Sequence, residues 1–138
     1  MPNQRASTRR RDVAVAVTLA LLGAWARWTS IPRHGFFFDD AWVVVGAISL
    51  TPGDLLAVGS AHPGFTTLLH VVGQLVGHST WAMSAPSLIV GLLGPPIVYI
   101  GLRALHHSRA VSAVTAIPLL VHPVHVAYSG RPKSYVFH

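Results

Sequence analysis

The sequence predicts an all-α, polytopic helical membrane protein with three transmembrane helices and short interfacial helices in its first outer loop. Hydrophobic residues make up 51% of the 138 residues, charged residues make up 10%, and the mean hydropathy is +0.52. A soluble domain usually carries about 25% charged residues. The apolar residues are also gathered into long uncharged runs separated by short polar stretches, which is typical of membrane-spanning helices.

The positive charge is distributed as in a membrane protein rather than a nucleic-acid-binding protein. The formal net charge is +6, and the basic residues cluster in the N-terminal tail and at the ends of the apolar runs. Such clustering sets membrane topology and favours a cytoplasmic tail beside anionic lipid. Cysteine is absent, which excludes a disulfide framework, a thiolate metal site and a thiol nucleophile.

Residues 1–12 form the predicted basic cytoplasmic tail, and residues 13–32 form the predicted first transmembrane helix. Helical to Ile31, this segment would be about 28 Å long, enough to cross the hydrocarbon layer. Arg27 lies near its far end, where we expect its side chain to reach the lipid headgroups. A cleaved signal peptide is the alternative, because residues 24–26 (Ala-Trp-Ala) resemble a small-x-small cleavage site.

Residues 33–83 are predicted to form an extracytoplasmic loop with two juxtamembrane helices, at about 41–50 and 62–77. The first apolar run is too short to cross a bilayer and ends in the turn-forming residues Thr-Pro-Gly-Asp. The second is short and contains glycine, threonine and histidine. We therefore expect it to lie in the interface or to re-enter the membrane.

Residues 84–103 and 110–128 are the predicted second and third transmembrane helices, joined by a cytoplasmic loop at 104–109. Both contain prolines, which membrane helices tolerate when neighbouring groups satisfy the freed backbone. The positive-inside rule places the basic loop in the cytoplasm, so an even number of crossings separates it from the tail. Residues 129–138 then return outside, and we expect the chain to be truncated. A four-span arrangement, in which 62–77 also crosses, is the alternative.

An acidic pair, Asp39 and Asp40, follows the first apolar segment and lies between aromatic residues. Helix capping explains such a pair simply, because carboxylates stabilise helix N-termini. The functional interpretation is that one carboxylate acts as a general base or metal ligand, with its basicity raised by low dielectric and by its neighbour. Successive helical positions diverge by about 100°, so the two carboxylates do not share one role.

A basic cluster, Arg131 and Lys133, lies between Tyr128 and Tyr135 near the end of the chain. Ordinary flanking of a membrane helix is one interpretation, although basic residues on the outer face run against the usual bias. The other interpretation is a phosphate site, in which Lys acts as a point charge and Arg as a bidentate fork.

The histidines give weak support for a metal site, and no metal ligands are assigned. His62, His70 and His78 recur every eight residues, a spacing that drifts by about 80° per step on a helix. His122 and His125 share a helical face but have no acidic residue nearby in sequence. His62 stands at the start of the second juxtamembrane helix, where we expect it to line the same cavity as the aspartates.

In their order and spacing, these features resemble the N-terminal part of GT-C class membrane glycosyltransferases. They are most similar to the family 39-like enzymes, the protein O-mannosyltransferase and aminoarabinose transferase-like group. The similarity runs from about Val13 to Phe137. It is carried by Asp39-Asp40-Ala41-Trp42, His62-Pro63, Ala85-Pro86-Ser87, and Tyr128-Ser129 with Lys133 and Tyr135.

The resemblance implies a multi-pass enzyme of the bacterial plasma membrane that moves a sugar from a polyprenyl-phosphate donor to an acceptor on the extracytoplasmic face. It implies that Asp39 is the catalytic base or orients the acceptor, that Asp40 is its partner, and that Lys133 contacts the lipid phosphate. The remaining site residues that we assign are Arg131 at the phosphate and, lining the cavity, His62, Tyr128 and Tyr135.

The resemblance has one departure that concerns cofactors. Many relatives carry Gln-Glu after Tyr-Ser, whereas this chain carries Gly130-Arg131. A second acidic group is therefore missing, no cofactor is assigned, and a divalent cation stays an open alternative. Two other functions also stay open: a non-catalytic small membrane protein or subunit, and an inactive fragment of a transferase.

Overall fold

A computed structural model describes residues 2–28, 30, 38–49, 51 and 63–132 of the chain. Among these residues the α-helix is the only regular secondary structure, which confirms the predicted all-α class. The helices are α1 (Pro2–Arg27), α2 (Phe38–Ser49), α3 (Pro63–Val76), α4 (Thr80–Ala104), α5 (Arg109–Val121) and α6 (Pro123–Ser129).

Helix α1 starts earlier and ends earlier than the predicted 13–32 span. The basic tail, predicted as a separate segment at 1–12, forms the first turns of the helix from Pro2 onward, and the helix ends at Arg27. The uncharged stretch of α1 is therefore closed by charged residues, Asp12 at one end and Arg27 at the other. Although α1 is 26 residues long, these charges keep it from being among the described helices that are apolar enough to cross a membrane.

Helix α4 is the one described helix that is long and apolar enough to cross a membrane. It continues through Pro86, Pro95 and Pro96, as expected where other helices pack around the freed carbonyls. Ser79 caps its N-terminus, because the Ser79 hydroxyl accepts a hydrogen bond from the Ala82 N–H at 3.2 Å.

The predicted third transmembrane helix, at 110–128, is broken in the structure. Helices α5 and α6 meet at His122 with a bend of 64°. Pro123 causes the break, since the residue before a proline avoids the helical region and His122 has an extended conformation (φ −64°, ψ 120°). If the bent pair is counted as one crossing, the described residues hold at most two spans. The prediction of three transmembrane helices is therefore not supported by helix length and composition.

Helix α4 is the centre of packing, with α1 and α5 lying along it. Their shared apolar core joins residues from all three helices: Ala16, Leu19, Tyr99, Ala116 and Leu120. At the C-terminal end of α1, the rings of Trp28 and Trp81 pack with centroids 6.3 Å apart.

The two short helices expected at about 41–50 and 62–77 correspond to α2 and α3. They pack against each other through Ala47, Phe65 and Leu69. The Nδ1 atom of His70 lies 2.7 Å from the carbonyl oxygen of Ala47, a hydrogen bond that ties the two helices together. His70 is thus engaged in helix packing.

The N-terminal tail and the loop after α4 lie at the same end of the helix bundle. The Asp12 carboxylate accepts hydrogen bonds from Arg109 Nε at 2.7 Å, from Arg103 Nε at 3.3 Å and from the Tyr99 hydroxyl at 3.0 Å. These contacts join α1, α4 and α5. They give the arrangement that is expected when the tail and the loop face the same side of a membrane.

Candidate functional site

The candidate site lies where the start of α2 meets the segment after α6. The Nε atom of Arg131 is 3.9 Å from Oδ2 of Asp40. The side chain of Asp40 is fully buried, whereas that of Arg131 is 25% exposed. A carboxylate in the first turn of a helix is stabilised by the helix dipole, which offsets part of the cost of burying Asp40 there.

The position of Arg131 is set by the C-terminal end of α6. Its N–H donates to the carbonyl oxygen of Tyr128 at 3.2 Å. Its guanidinium carbon also lies 5.5 Å from the centroid of the Tyr128 ring, within the range of a cation–π contact. Arg131 therefore has an aromatic ring beside it and the Asp40 carboxylate within ion-pair distance.

A second arginine, Arg27, is completely buried between α1, α5 and α6. Its Nη1 donates to the Gly23 carbonyl oxygen at 3.1 Å, and its Nη2 donates to the Leu119 carbonyl oxygen at 2.7 Å. The same Nη2 lies 2.8 Å from Nδ1 of His125. Because a guanidinium only donates, Nδ1 is the acceptor and the neutral imidazole carries its proton on Nε2.

The bend between α5 and α6 is what makes this arginine site. In a continuous helix the carbonyl of Leu119 would accept the N–H of residue 123. Residue 123 is a proline, which has no N–H, so the Leu119 carbonyl is open to Arg27. The bend thus supplies a partly buried acceptor to a buried cation. Arg27 Nε has no hydrogen-bond partner among the described residues.

Two glycines allow the chain segments of the site to approach closely. A Cβ on Gly91 would lie 2.6 Å from the Cβ of Ser129 and 3.0 Å from Arg27 Nε. A Cβ on Gly130 would lie 2.6 Å from the carbonyl carbon of Ser30. Side chains at these positions would therefore push α6 away from α4 and from the end of α1.

Of the residues predicted from sequence, the structure brings Asp40, Arg131 and Tyr128 together. Asp39 lies in the first turn of α2, and its side chain is outside the described part of the structure. The other predicted residues, His62, Lys133 and Tyr135, also fall outside the described residues. In a four-span arrangement Asp40 and Arg131 would lie on opposite sides of a bilayer, whereas the structure has them 3.9 Å apart.

The sequence reasoning missed Arg27 and His125 as members of the site. We expected Arg27 to reach lipid headgroups, but this expectation is wrong, because buried carbonyl and imidazole acceptors satisfy it inside the bundle. The expected shared face of His122 and His125 is lost at the bend, where His122 is exposed and His125 turns towards Arg27. Two features of the sequence could have indicated this contact. Arg27 is the charged residue that ends an apolar run, and the His122-Pro123 dipeptide far downstream favours a break in the helix.

Positive charge predominates among the described side chains of the site. Across the described ranges, no group of three or more histidine, aspartate or glutamate side chains is placed to hold a metal ion. The described charged groups are the guanidinium groups of Arg27 and Arg131 and the carboxylate of Asp40. Comparison with protein-family models, curated proteins and solved structures finds no match to this chain.

Proposed function

We propose that this chain is the N-terminal part of an integral membrane glycosyltransferase. It would move a sugar from a polyprenyl-phosphate donor to an acceptor on the extracytoplasmic face. The observation that supports this proposal most is the 3.9 Å approach of Arg131 to Asp40. It brings together one residue of the acidic cluster and one of the basic cluster, which are far apart in the sequence, and a transfer with a phosphate leaving group needs both kinds of group.

Membrane insertion is supported by the surface of the helices. Large apolar side chains are exposed on α1, α4 and α5, including Leu21 (66%), Trp25 (79%), Ile97 (61%) and Val114 (65%). Exposed apolar side chains in such number are typical of a surface that meets a membrane or another protein. The burial of Arg27 against carbonyl oxygens also fits a membrane protein, in which charged groups face the bundle interior and often mark a substrate path.

In the proposed reaction, Asp39 takes the proton of the acceptor hydroxyl as that oxygen bonds to the anomeric carbon of the sugar. The bond between the anomeric carbon and the phosphate oxygen breaks, and the polyprenyl phosphate leaves with the electron pair. Arg131, with Lys133 beside it in sequence, stabilises the charge on this leaving phosphate.

Asp40 has a different role from Asp39 in this proposal. Its carboxylate is fully buried and faces Arg131, so a substrate hydroxyl has no direct access to it. We assign Asp40 as the positioning residue that holds the Arg131 guanidinium ready for the phosphate. This assignment separates the two carboxylates, as their divergence on α2 requires.

The test is the release of undecaprenyl phosphate from undecaprenyl-phosphate-linked hexoses and pentoses in membranes that contain the full-length protein. We expect D39N to lower the rate by about 10²-fold or more, the scale of a lost general base. We expect R131Q to lower it by about 10²-fold through lost charge stabilisation, with partial rescue in R131K. The matched control is Q74A on the exposed surface of α3, which keeps the wild-type rate. Wild-type release by D39N would remove Asp39 from the mechanism.

A non-catalytic membrane subunit is the second candidate function, and the same ion pair favours it. Here the contact between Asp40 and Arg131 only fastens α2 to the end of α6. The two candidates differ in what D40N does. In a transferase, D40N lowers the release of undecaprenyl phosphate. R131K also releases more of it than R131Q does. In a subunit, no release is detected in any variant, and D40N changes only the thermal stability.

A further inference from the structure

A groove between α1 and α4, at the end of the bundle that holds Asp12, has no part in the proposed transfer. Its volume is 890 Å³, within the range of about 300–1,000 Å³ that is typical of small-molecule sites. The groove opens on the surface of the bundle, where a ligand from outside the chain can enter it.

The wall of the groove is apolar. Helix α1 contributes Val13, Val17 and Ala20, and helix α4 contributes Leu93, Pro96 and Ile100. The groove persists because Ala20 and Pro96 are too short to fill the space between the helices. From Val13 to Ala20, α1 rises by about 10 Å, roughly two thirds of the ~15 Å hydrocarbon depth of one leaflet.

The mouth of the groove is polar and carries excess positive charge. Arg9, Asp12 and Arg103 line it. The Asp12 carboxylate accepts hydrogen bonds from Arg109 Nε at 2.7 Å, from the Tyr99 hydroxyl at 3.0 Å and from Arg103 Nε at 3.3 Å. The Arg9 side chain is exposed. Arg9, Arg103 and Arg109 thus outnumber the Asp12 carboxylate at this end of the groove, and an anion at the mouth would meet a net positive charge.

We propose that this groove binds one anionic phospholipid, with an acyl chain between α1 and α4 and the phosphate at Arg9 and Arg103. Basic pockets between helices on the cytoplasmic side of membrane proteins bind anionic headgroups in this way. The proposal uses the membrane insertion of the proposed function but is independent of sugar transfer. It gives the N-terminal arginines a defined ligand in addition to their effect on topology.

The experiment measures binding of dioleoyl phosphatidylglycerol and dioleoyl phosphatidylcholine to the purified full-length protein in detergent, by native mass spectrometry. We expect one tightly held phosphatidylglycerol per chain and weaker phosphatidylcholine binding. The matched variants are R9Q, which removes a charge at the mouth, and R10Q, which removes the same charge from an exposed neighbour on α1. We expect about fivefold weaker binding for R9Q, the scale of one arginine at an anionic lipid surface, and less than twofold for R10Q.

A second pair of variants tests the groove itself. A20F fills it from α1, whereas A14F adds the same ring at an exposed position of α1 outside the groove. We expect A20F to weaken binding at least tenfold and A14F to leave it unchanged, with both variants keeping the wild-type helical circular dichroism.

Equal weakening by R9Q and R10Q would overturn the proposal in favour of diffuse electrostatic attraction. Unchanged binding in A20F would overturn it as well, as would equal binding of the two lipids. Because lipid binding is measured in detergent and without donor, its failure would leave the transferase proposal standing. An absence of undecaprenyl phosphate release would in turn leave the lipid site standing.

Discussion

Arg27 gives the sharpest test of how the bundle is held together. Replacing it with methionine keeps much of the side-chain volume but removes the donors to Gly23, Leu119 and His125. The Leu119 carbonyl oxygen and His125 Nδ1 then lose their donor in a partly buried site. Each buried polar group left unsatisfied costs about 1–3 kcal/mol, so the sum is about 2–6 kcal/mol.

The lower end of that range is supported by a second consideration. Hydrogen bonds inside membrane proteins have averaged about 0.6 kcal/mol in double-mutant cycles, so three such bonds give about 2 kcal/mol. We therefore expect R27M to lower the free energy of unfolding by about 2–6 kcal/mol. The measurement is equilibrium unfolding of the purified protein in mixed micelles, followed by circular dichroism.

The link between Arg27 and the helix bend gives this prediction a specific signature. In P123A, residue 123 regains an N–H that can bond the Leu119 carbonyl, so R27M should be less damaging in the P123A background by about 1 kcal/mol or more. R11M, an exposed arginine on the same helix, should change the stability by less than about 0.5 kcal/mol. An R27M effect no larger than that of R11M, or strict additivity with P123A, would refute this account of the buried arginine.

Two further predictions concern close packing and pH. G91A should destabilise the fold by about 1–3 kcal/mol, because its Cβ would lie 2.6 Å from the Cβ of Ser129. The matched control in the same unfolding assay is G94A, whose added Cβ would have its nearest neighbour 3.9 Å away. Equal destabilisation by the two variants would contradict the predicted clash. The hydrogen bond from Arg109, with further contributions from Arg103 and Tyr99, holds the pKa of Asp12 below its usual value. The stability from this contact is therefore fully present above the unfolded-state pKa of about 3.9 and is lost as pH falls through the lower folded-state pKa. D12N should be less stable than wild type at neutral pH, and this difference should shrink in acid; a difference that is constant with pH would contradict the ion-pair assignment.

The helical class and most helix positions follow from the sequence, because uncharged runs punctuated by turn residues leave few other interpretations. Helices α2 and α3 begin and end within a few residues of the expected boundaries. The end of α1 could not be predicted in the same way. It depends on Arg27 finding acceptors on α5 and α6, which are remote in the chain.

The effect of each proline also depends on tertiary structure. Helix α4 continues through three prolines, whereas Pro123 separates α5 from α6. The local sequence gives no reason for this difference, since proline removes one hydrogen bond in every case. At Pro123 the freed carbonyl of Leu119 meets the Arg27 guanidinium, a contact that no sequence spacing reveals.

The candidate site was predicted in part. The sequence singled out Asp40 and Arg131 as separate clusters, and the structure brings them to ion-pair distance. Their catalytic roles stay predictions. The contact between Arg27 and His125 joins residues that are 98 positions apart, so it follows from the three-dimensional packing and not from a local sequence pattern.

The most direct test of the central proposal is the sidedness of the two clusters. Single cysteines at Phe38 and Ser134, introduced into this cysteine-free chain, would be labelled on intact cells with a membrane-impermeant thiol reagent. A cysteine at His107, in the exposed loop after α4, is the control for the opposite side. The transferase proposal predicts labelling at positions 38 and 134 and none at 107. Labelling at 38 without 134, or at 107, would contradict an extracytoplasmic site built from both clusters.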